Sequence, residues 1–209
     1  MKKENYLTKQ ELFWAGNFGD EYILRNQTAQ LQASNVHFFS TSLRTAGAPR
    51  SCIEFGANIG MNLRALQLLY PNQTQHAIEI NSNAAKELAE IIPASNIFAK
   101  SILTFESPEM WELVLIKGVL IHLDPNVLPS VYDKLYSAAK KYILIAEYYN
   151  PTPISIDYRG HSDVLYKRDF AGEMLDRYPT LQLQDYGFSY HRDLAFPQDD
   201  ITWFLLRKQ

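Results

Sequence analysis

Glu54-Phe55-Gly56-Ala57-Asn58-Ile59-Gly60 joins an apolar run, Ser51-Cys52-Ile53-Glu54-Phe55, to a helical pattern that begins at Met61. Glycines between a strand and a helix let a ligand approach the backbone and the amides of the helix N-terminus. A pyrophosphate-binding turn places its glycines as G-x-G-x-x-G, whereas this stretch reads G-A-N-I-G, with asparagine where the close second glycine belongs. The turn therefore suits a phosphate-free adenosine ligand better than a dinucleotide.

Outward from this turn, short apolar runs recur at 51–55, 75–80, 96–100, 113–117 and 142–147, each bounded by polar or turn residues. Helical patterns fill most of the gaps. Leu63, Leu66, Leu69 and Tyr70 share a face within 61–70, and Ala84, Leu88 and Ile91 share one within 83–92, with Ser82 as its N-cap. A third pattern at 127–139 aligns Leu128, Val131, Leu135 and Ala138. Strands alternating with helices predict a mostly parallel sheet whose ligand crevice lies at the carboxyl ends of the strands.

The last third breaks the rhythm. Runs at 181–188 and 200–207 have no helix between them and predict an antiparallel pair at the sheet edge. Ahead of the sheet, 9–23 and 28–45 read as two helices, a cap over a core of 51–209 in one domain of 1–209.

The formal charge of −3 offers no basic footprint for nucleic acid. Cys52 is the only cysteine, so neither an intramolecular disulfide nor a cysteine-built metal site can form. His37, His76, His122, His161 and His191 show no helical metal-ligand spacing, so no metal is expected. No run is apolar enough for a signal peptide or a membrane span, and a cytoplasmic location is expected. Composition and spacing leave oligomeric state open.

Glu79 ends the second apolar run, close to the roughly 20-residue offset at which an acidic side chain meets a ribose in related folds. With Glu54 it supplies acceptors for ribose hydroxyls and an ammonium. At these residues the chain resembles the class I S-adenosylmethionine-dependent methyltransferases, whose first motif is E/D-x-G-x-G-x-G, with Asn58 standing in the middle-glycine place. The resemblance implies a Rossmann-like seven-stranded sheet with an antiparallel edge strand and S-adenosylmethionine as cofactor. It further implies that Glu54 and the backbone of Gly56 and Gly60 hold the methionine end and that Glu79 holds the ribose. Ser101 and Ile102 would flank the adenine, and Lys117, Gly118 and Val119 would line the sulfonium side.

A closer resemblance is carried by the aromatic block at 13–26, taken with 54–60, 118–125 and 160–170. The combination looks like the methylases associated with pseudaminic acid biosynthesis. It implies an acidic nonulosonate sugar, or its nucleotide-activated form, as the small-molecule partner.

Methyl transfer is an in-line displacement, so the protein supplies alignment, desolvation and, for a hydroxyl acceptor, a base. His122, His161 and Glu147 are the favoured candidates, with Asp124, Tyr148 and Tyr149 nearby in sequence. An ordinary imidazole titrates near pH 6.5 and so can accept a proton at neutral pH. Asp124 in Asp124-Pro125-Asn126 reads first as a helix cap. Trp14, Phe18 and Tyr22 recur every fourth residue and read as either a core face or a lid. As a lid they bring Trp14, Tyr22, Arg25 and Asn26 to the cofactor. The basic block contributes Arg159, Lys167 and Arg168 as an anion clamp beside Tyr148 and Tyr149. Two other readings stay open at this point: a nicotinamide-dependent oxidoreductase on a related sheet, and a cofactor-binding module without catalysis.

Overall fold

The computed structural model describes residues 6–23, 28–156 and 165–209. Five apolar runs become parallel neighbours: β1 (Ser51–Phe55), β2 (Thr74–Glu79), β3 (Ile97–Ala99), β4 (Trp111–Lys117) and β5 (Ala139–Glu147). A short hairpin, β6 (Ile154–Ser155) with β7 (Tyr166–Lys167), stands apart and was not expected from so brief a pattern. The terminal pair is β8 (Leu181–Ser189) and β9 (Ile201–Lys208), and the main sheet runs β3-β2-β1-β4-β5-β9-β8. This is the Rossmann-like methyltransferase fold.

Within the expected edge pair, β9 joins β5 antiparallel and β8 takes the outermost place. Burial explains the choice. β9 sinks Ile201 and Trp203 together with Leu205 and Leu206, whereas β8 buries Leu181 and leaves Leu183, Tyr186 and Phe188 exposed.

Seven helices are described: α1 (Lys9–Ala15), α2 (Asn17–Ile23), α3 (Ala29–Ser42), α4 (Met61–Leu69), α5 (Ser82–Leu88), α6 (Leu128–Ala138) and α7 (Phe170–Arg177). Side chains alternate across the strands, so the sheet has two apolar faces. Ile53, Phe55, Val114, Ile116, Ile143 and Ile145 pack with α6 and α7 on one side. Cys52, Leu113, Leu115, Leu144 and Trp203 pack with α3, α4 and α5 on the other.

Two local expectations are corrected. The single helix expected over 9–23 is two, because Gly16 is extended (φ −101°, ψ −157°) between α1 and α2. Glycine gives up helical order most readily of the non-proline residues. The cap of α5 is Asn81 rather than Ser82: the Asn81 side chain accepts from the amides of both Asn83 and Ala84, and Ser82 is the first residue of the helix.

No helix among the described residues is long and apolar enough to cross a membrane.

Candidate active site

The glycine-rich turn forms as the sequence asks, with a refinement at Asn58. Gly56, Asn58 and Gly60 all have positive φ, at 77°, 47° and 79°. Asparagine is among the few non-glycine residues that enter the left-handed region readily. Asn58 therefore substitutes for a glycine without changing the path of the turn. Contacts fix the flanking glycines as well, since a Cβ on Gly56 would lie 2.7 Å from Val119 and one on Gly60 would lie 2.6 Å from Leu88.

Glu79 sits at the carboxyl end of β2, only 7% exposed. Its Oε2 accepts the Asn58 amide at 2.7 Å and its Oε1 accepts the Asn81 amide at 2.7 Å. Burial raises its pKa, and these amides oppose the rise. The Ile80 amide also acts on the carboxylate, and since each oxygen has two acceptor positions, capacity is left for a ligand hydroxyl. Glu79 thereby ties the glycine-rich turn to α5 and still faces the cavity above it.

That cavity measures about 490 Å³ and lies across the carboxyl ends of β1, β2, β3 and β4, within the size range of small-molecule sites. Gly56, Asn58, Glu79, Ser101, Ile102, Lys117, Gly118 and His122 line it, together with Trp14 and Tyr22. Gly118 leaves open space where a Cβ would stand, with no atom within 4 Å, so the wall after β4 is flat backbone.

The aromatic block contributes Trp14 and Tyr22 to the cavity wall, the position expected of a lid. Trp14 on α1 meets Phe18 and Tyr22 on α2 edge-on, both at 5.3 Å between centroids, and its ring lies 4.9 Å from that of His122. The break at Gly16 thus does not scatter the three aromatics. Polar ties fasten the lid: Asn81 Nδ2 donates to Asp20 Oδ1 at 2.9 Å, and Asn83 Nδ2 donates to the same oxygen at 3.0 Å. Those bonds hold the Asp20 carboxyl below its ordinary range.

Sequence reasoning passed over the second tie. Glu11 stands third in α1 in a capping box with Thr8, the T-x-x-E pattern by which it was discoverable. Its Oε2 accepts the Thr8 amide at 2.8 Å, and its Oε1 accepts the Ser101 hydroxyl. A lid carboxylate therefore stands beside Ser101, where the chain itself has no acid after β3.

The far wall was also missed. β9 runs against its neighbours, so the 190–200 connection returns to the carboxyl ends of the parallel strands. Gln198 Nε2 donates to Asn35 Oδ1 on α3 at 2.8 Å, Gln30 Nε2 donates to the Ala195 carbonyl at 3.0 Å, and Phe196 stacks on His37 at 4.5 Å. His191, Gln198 and Asp199 join the cavity lining as a result.

Other candidates fall elsewhere. Glu54 is wholly buried beneath the turn rather than in the cavity wall. Asn62 Nδ2 donates to its Oε1 at 2.6 Å, its Oε2 has no partner, and burial pushes its pKa up to about 8. Glu147 is corrected from base to anchor. Its Oε1 accepts the amides of Val119 and Leu120, both at 2.9 Å, its side chain is absent from the cavity wall, and burial raises it to about 7. Asp124 caps the turn at Pro125–Val127 through the Asn126 amide, as its turn reading expects.

The anion clamp does not assemble among the described residues. Arg168 pairs with Glu173 at 2.7 Å, and Glu173 also accepts the Tyr132 hydroxyl at 2.7 Å. Lys167 lies 5.3 Å over the Tyr148 ring, and Tyr149 is exposed beside Phe204. Arg25, Asn26, Arg159 and His161 lie outside the described residues. Among the described residues no group of three histidine, cysteine or acidic side chains is arranged to hold a metal ion.

No protein-family model matches the chain, and no curated protein sequence matches it. Solved structures do match in fold. The 1,6-didemethyltoxoflavin-N1-methyltransferase of Burkholderia thailandensis, solved with its substrate and S-adenosylhomocysteine, superposes with a TM-score of 0.72 at 12% identity, covering 99% of this chain and 93% of that one. The magnesium protoporphyrin IX methyltransferase of Synechocystis PCC 6803, solved with S-adenosylmethionine, gives 0.67 at 10% identity over 99% and 100%. A mitomycin 7-O-methyltransferase gives 0.65 at 14% identity over 97% of this chain and 61% of that one, so this chain spans under two thirds of that enzyme. What these likenesses define is the fold, a Rossmann-like sheet that this chain shares with those methyltransferases.

Proposed function

We propose that this chain is an S-adenosylmethionine-dependent methyltransferase acting on a small acidic acceptor, a nonulosonate sugar or its nucleotide-activated form. The observation that carries the cofactor reading is Glu79: a buried carboxylate at the end of β2, fixed by two amides, with acceptor capacity left toward a cavity of ligand size. Bound there, S-adenosylmethionine supplies an electrophilic methyl group on a positively charged sulfur.

The chain's own residues divide the remaining tasks. Glu79 accepts ribose hydroxyls, and Ser101 with Glu11 offers acceptors to the polar edge of a base beside Ile102. Trp14 and Tyr22 exclude water from above. Gly118, lacking a Cβ, lets the acceptor approach the backbone after β4. His122, lining the cavity under Trp14, accepts the proton of an acceptor hydroxyl. The sugar class rests on the resemblance of the blocks at 13–26, 54–60, 118–125 and 160–170.

The test is incubation of the purified chain with methyl-labelled S-adenosylmethionine and cell extract, followed by mass spectrometry of the sugar acids and nucleotide sugars. Label on one such sugar, abolished by a competing excess of S-adenosylhomocysteine, is the expected result. Label confined to other metabolites would overturn the sugar reading while keeping the methyltransferase.

A further inference from the structure

Lys117 closes β4 on the face of the sheet shared with α3, and its ammonium lies 5.5 Å over the Phe38 ring. It is the only lysine or arginine among the described residues that line the cavity. Three acidic groups act on it through charge, Glu54, Glu147 and Asp199. Burial pushes the pKa of Glu54 on β1 up to about 8, and Glu147 on β5 gives its Oε1 to two backbone amides while its Oε2 has no hydrogen-bond partner. Asp199 acts on it only from the exposed 190–200 connection. Among the described residues, none forms an ion pair with it. Two other carboxylates in the cavity, Glu11 and Glu79, are bonded to lid and turn amides.

A poorly solvated ammonium without an ion-pair partner is costly, and a ligand anion that reaches it regains charge-assisted hydrogen bonds. We infer that Lys117 is the anion-binding group of this cavity and takes a ligand carboxylate, from either the amino-acid tail of the cofactor or an acidic acceptor. The inference rests on the methyltransferase reading and replaces the expected clamp of Arg159, Lys167 and Arg168. It also accounts for a cation beside the place where a sulfonium is expected. With a carboxylate on the ammonium, the two positive charges no longer face each other unscreened. Burial lowers the Lys117 pKa, and a bound carboxylate opposes that fall.

Calorimetry on Lys117→Met, with Lys117→Arg as the charge-preserving control, tests it with two matched pairs of probes. S-adenosylhomocysteine is compared with 5′-methylthioadenosine, which lacks the amino-acid tail. With S-adenosylhomocysteine present, N-acetylneuraminate is compared with its methyl ester. Lys117→Met is expected to lose about tenfold or more in affinity for the acid of one pair and little for its carboxylate-free partner, and Lys117→Arg to recover most of it. Loss in the first pair assigns the tail, and loss in the second assigns the acceptor. If wild type binds S-adenosylhomocysteine but Lys117→Met shows no selective loss in either pair, the inference is overturned, a sugar that fails to bind wild type counting as no loss. If wild type binds neither nucleoside, the cofactor reading itself fails.

Discussion

At Asn58 a motif departure becomes a statement about backbone geometry. The residue has φ 47° and donates its amide to Glu79, so the position demands left-handed backbone and not glycine as such. Asn58→Gly is expected to stay within about 1 kcal/mol of wild type in chemical denaturation, and Asn58→Val to cost about 1–2 kcal/mol. Glu54 makes a second residue-scale prediction. Its carboxyl titrates near 4.5 when unfolded and near 8 when folded. Below 4.5 both states hold the proton; between 4.5 and 8 the folded state alone retains it. Its share of stability therefore falls as pH rises through that window, on the order of 5 kcal/mol in all. Melting of Glu54→Gln, which keeps an acceptor for Asn62, should lose most of that fall. The sequence identified Glu54 and Glu79 by position alike. It could not separate them, because one points beneath the turn and the other into the cavity.

Elements rather than single residues decide access to the cavity. α1 and α2 are held over it by Asp20 to Asn81 and Asn83 and by Glu11 to Ser101, while the segment after β4 is held from below by Glu147. Asp20→Ala is expected to speed amide exchange in α1 and α2 and to weaken S-adenosylhomocysteine several-fold, with global stability little changed. Glu147 tells anchor from base: Glu147→Gln keeps an oxygen for the amides of Val119 and Leu120 and should stay near wild type in stability and ligand affinity. Glu147→Ala strands those amides and should cost about 2–4 kcal/mol by denaturant titration. Helical spacing found the lid aromatics even though Gly16 divides their helix. The 190–200 wall was invisible, since its place depends on β9 reversing direction, a fact of the whole sheet.

Across the whole molecule, the alternating runs made the parallel half of the sheet readable, and the helix-free final third made the antiparallel pair readable. What the periodicity did not reveal was the order within that pair, which burial of Trp203 and its neighbours decides. The consequence is a cavity walled by segments far apart in the chain: the lid, the glycine-rich turn, the ends of β2 through β4, and the connection into β9. The central claim is that this assembly binds S-adenosylmethionine through Glu79. Titration calorimetry with S-adenosylhomocysteine tests it most directly. The account predicts one molecule bound per chain, an affinity lowered about tenfold or more in Glu79→Ala, and no comparable binding of NAD. Absence of heat with wild type, or an affinity indifferent to Glu79, would contradict it.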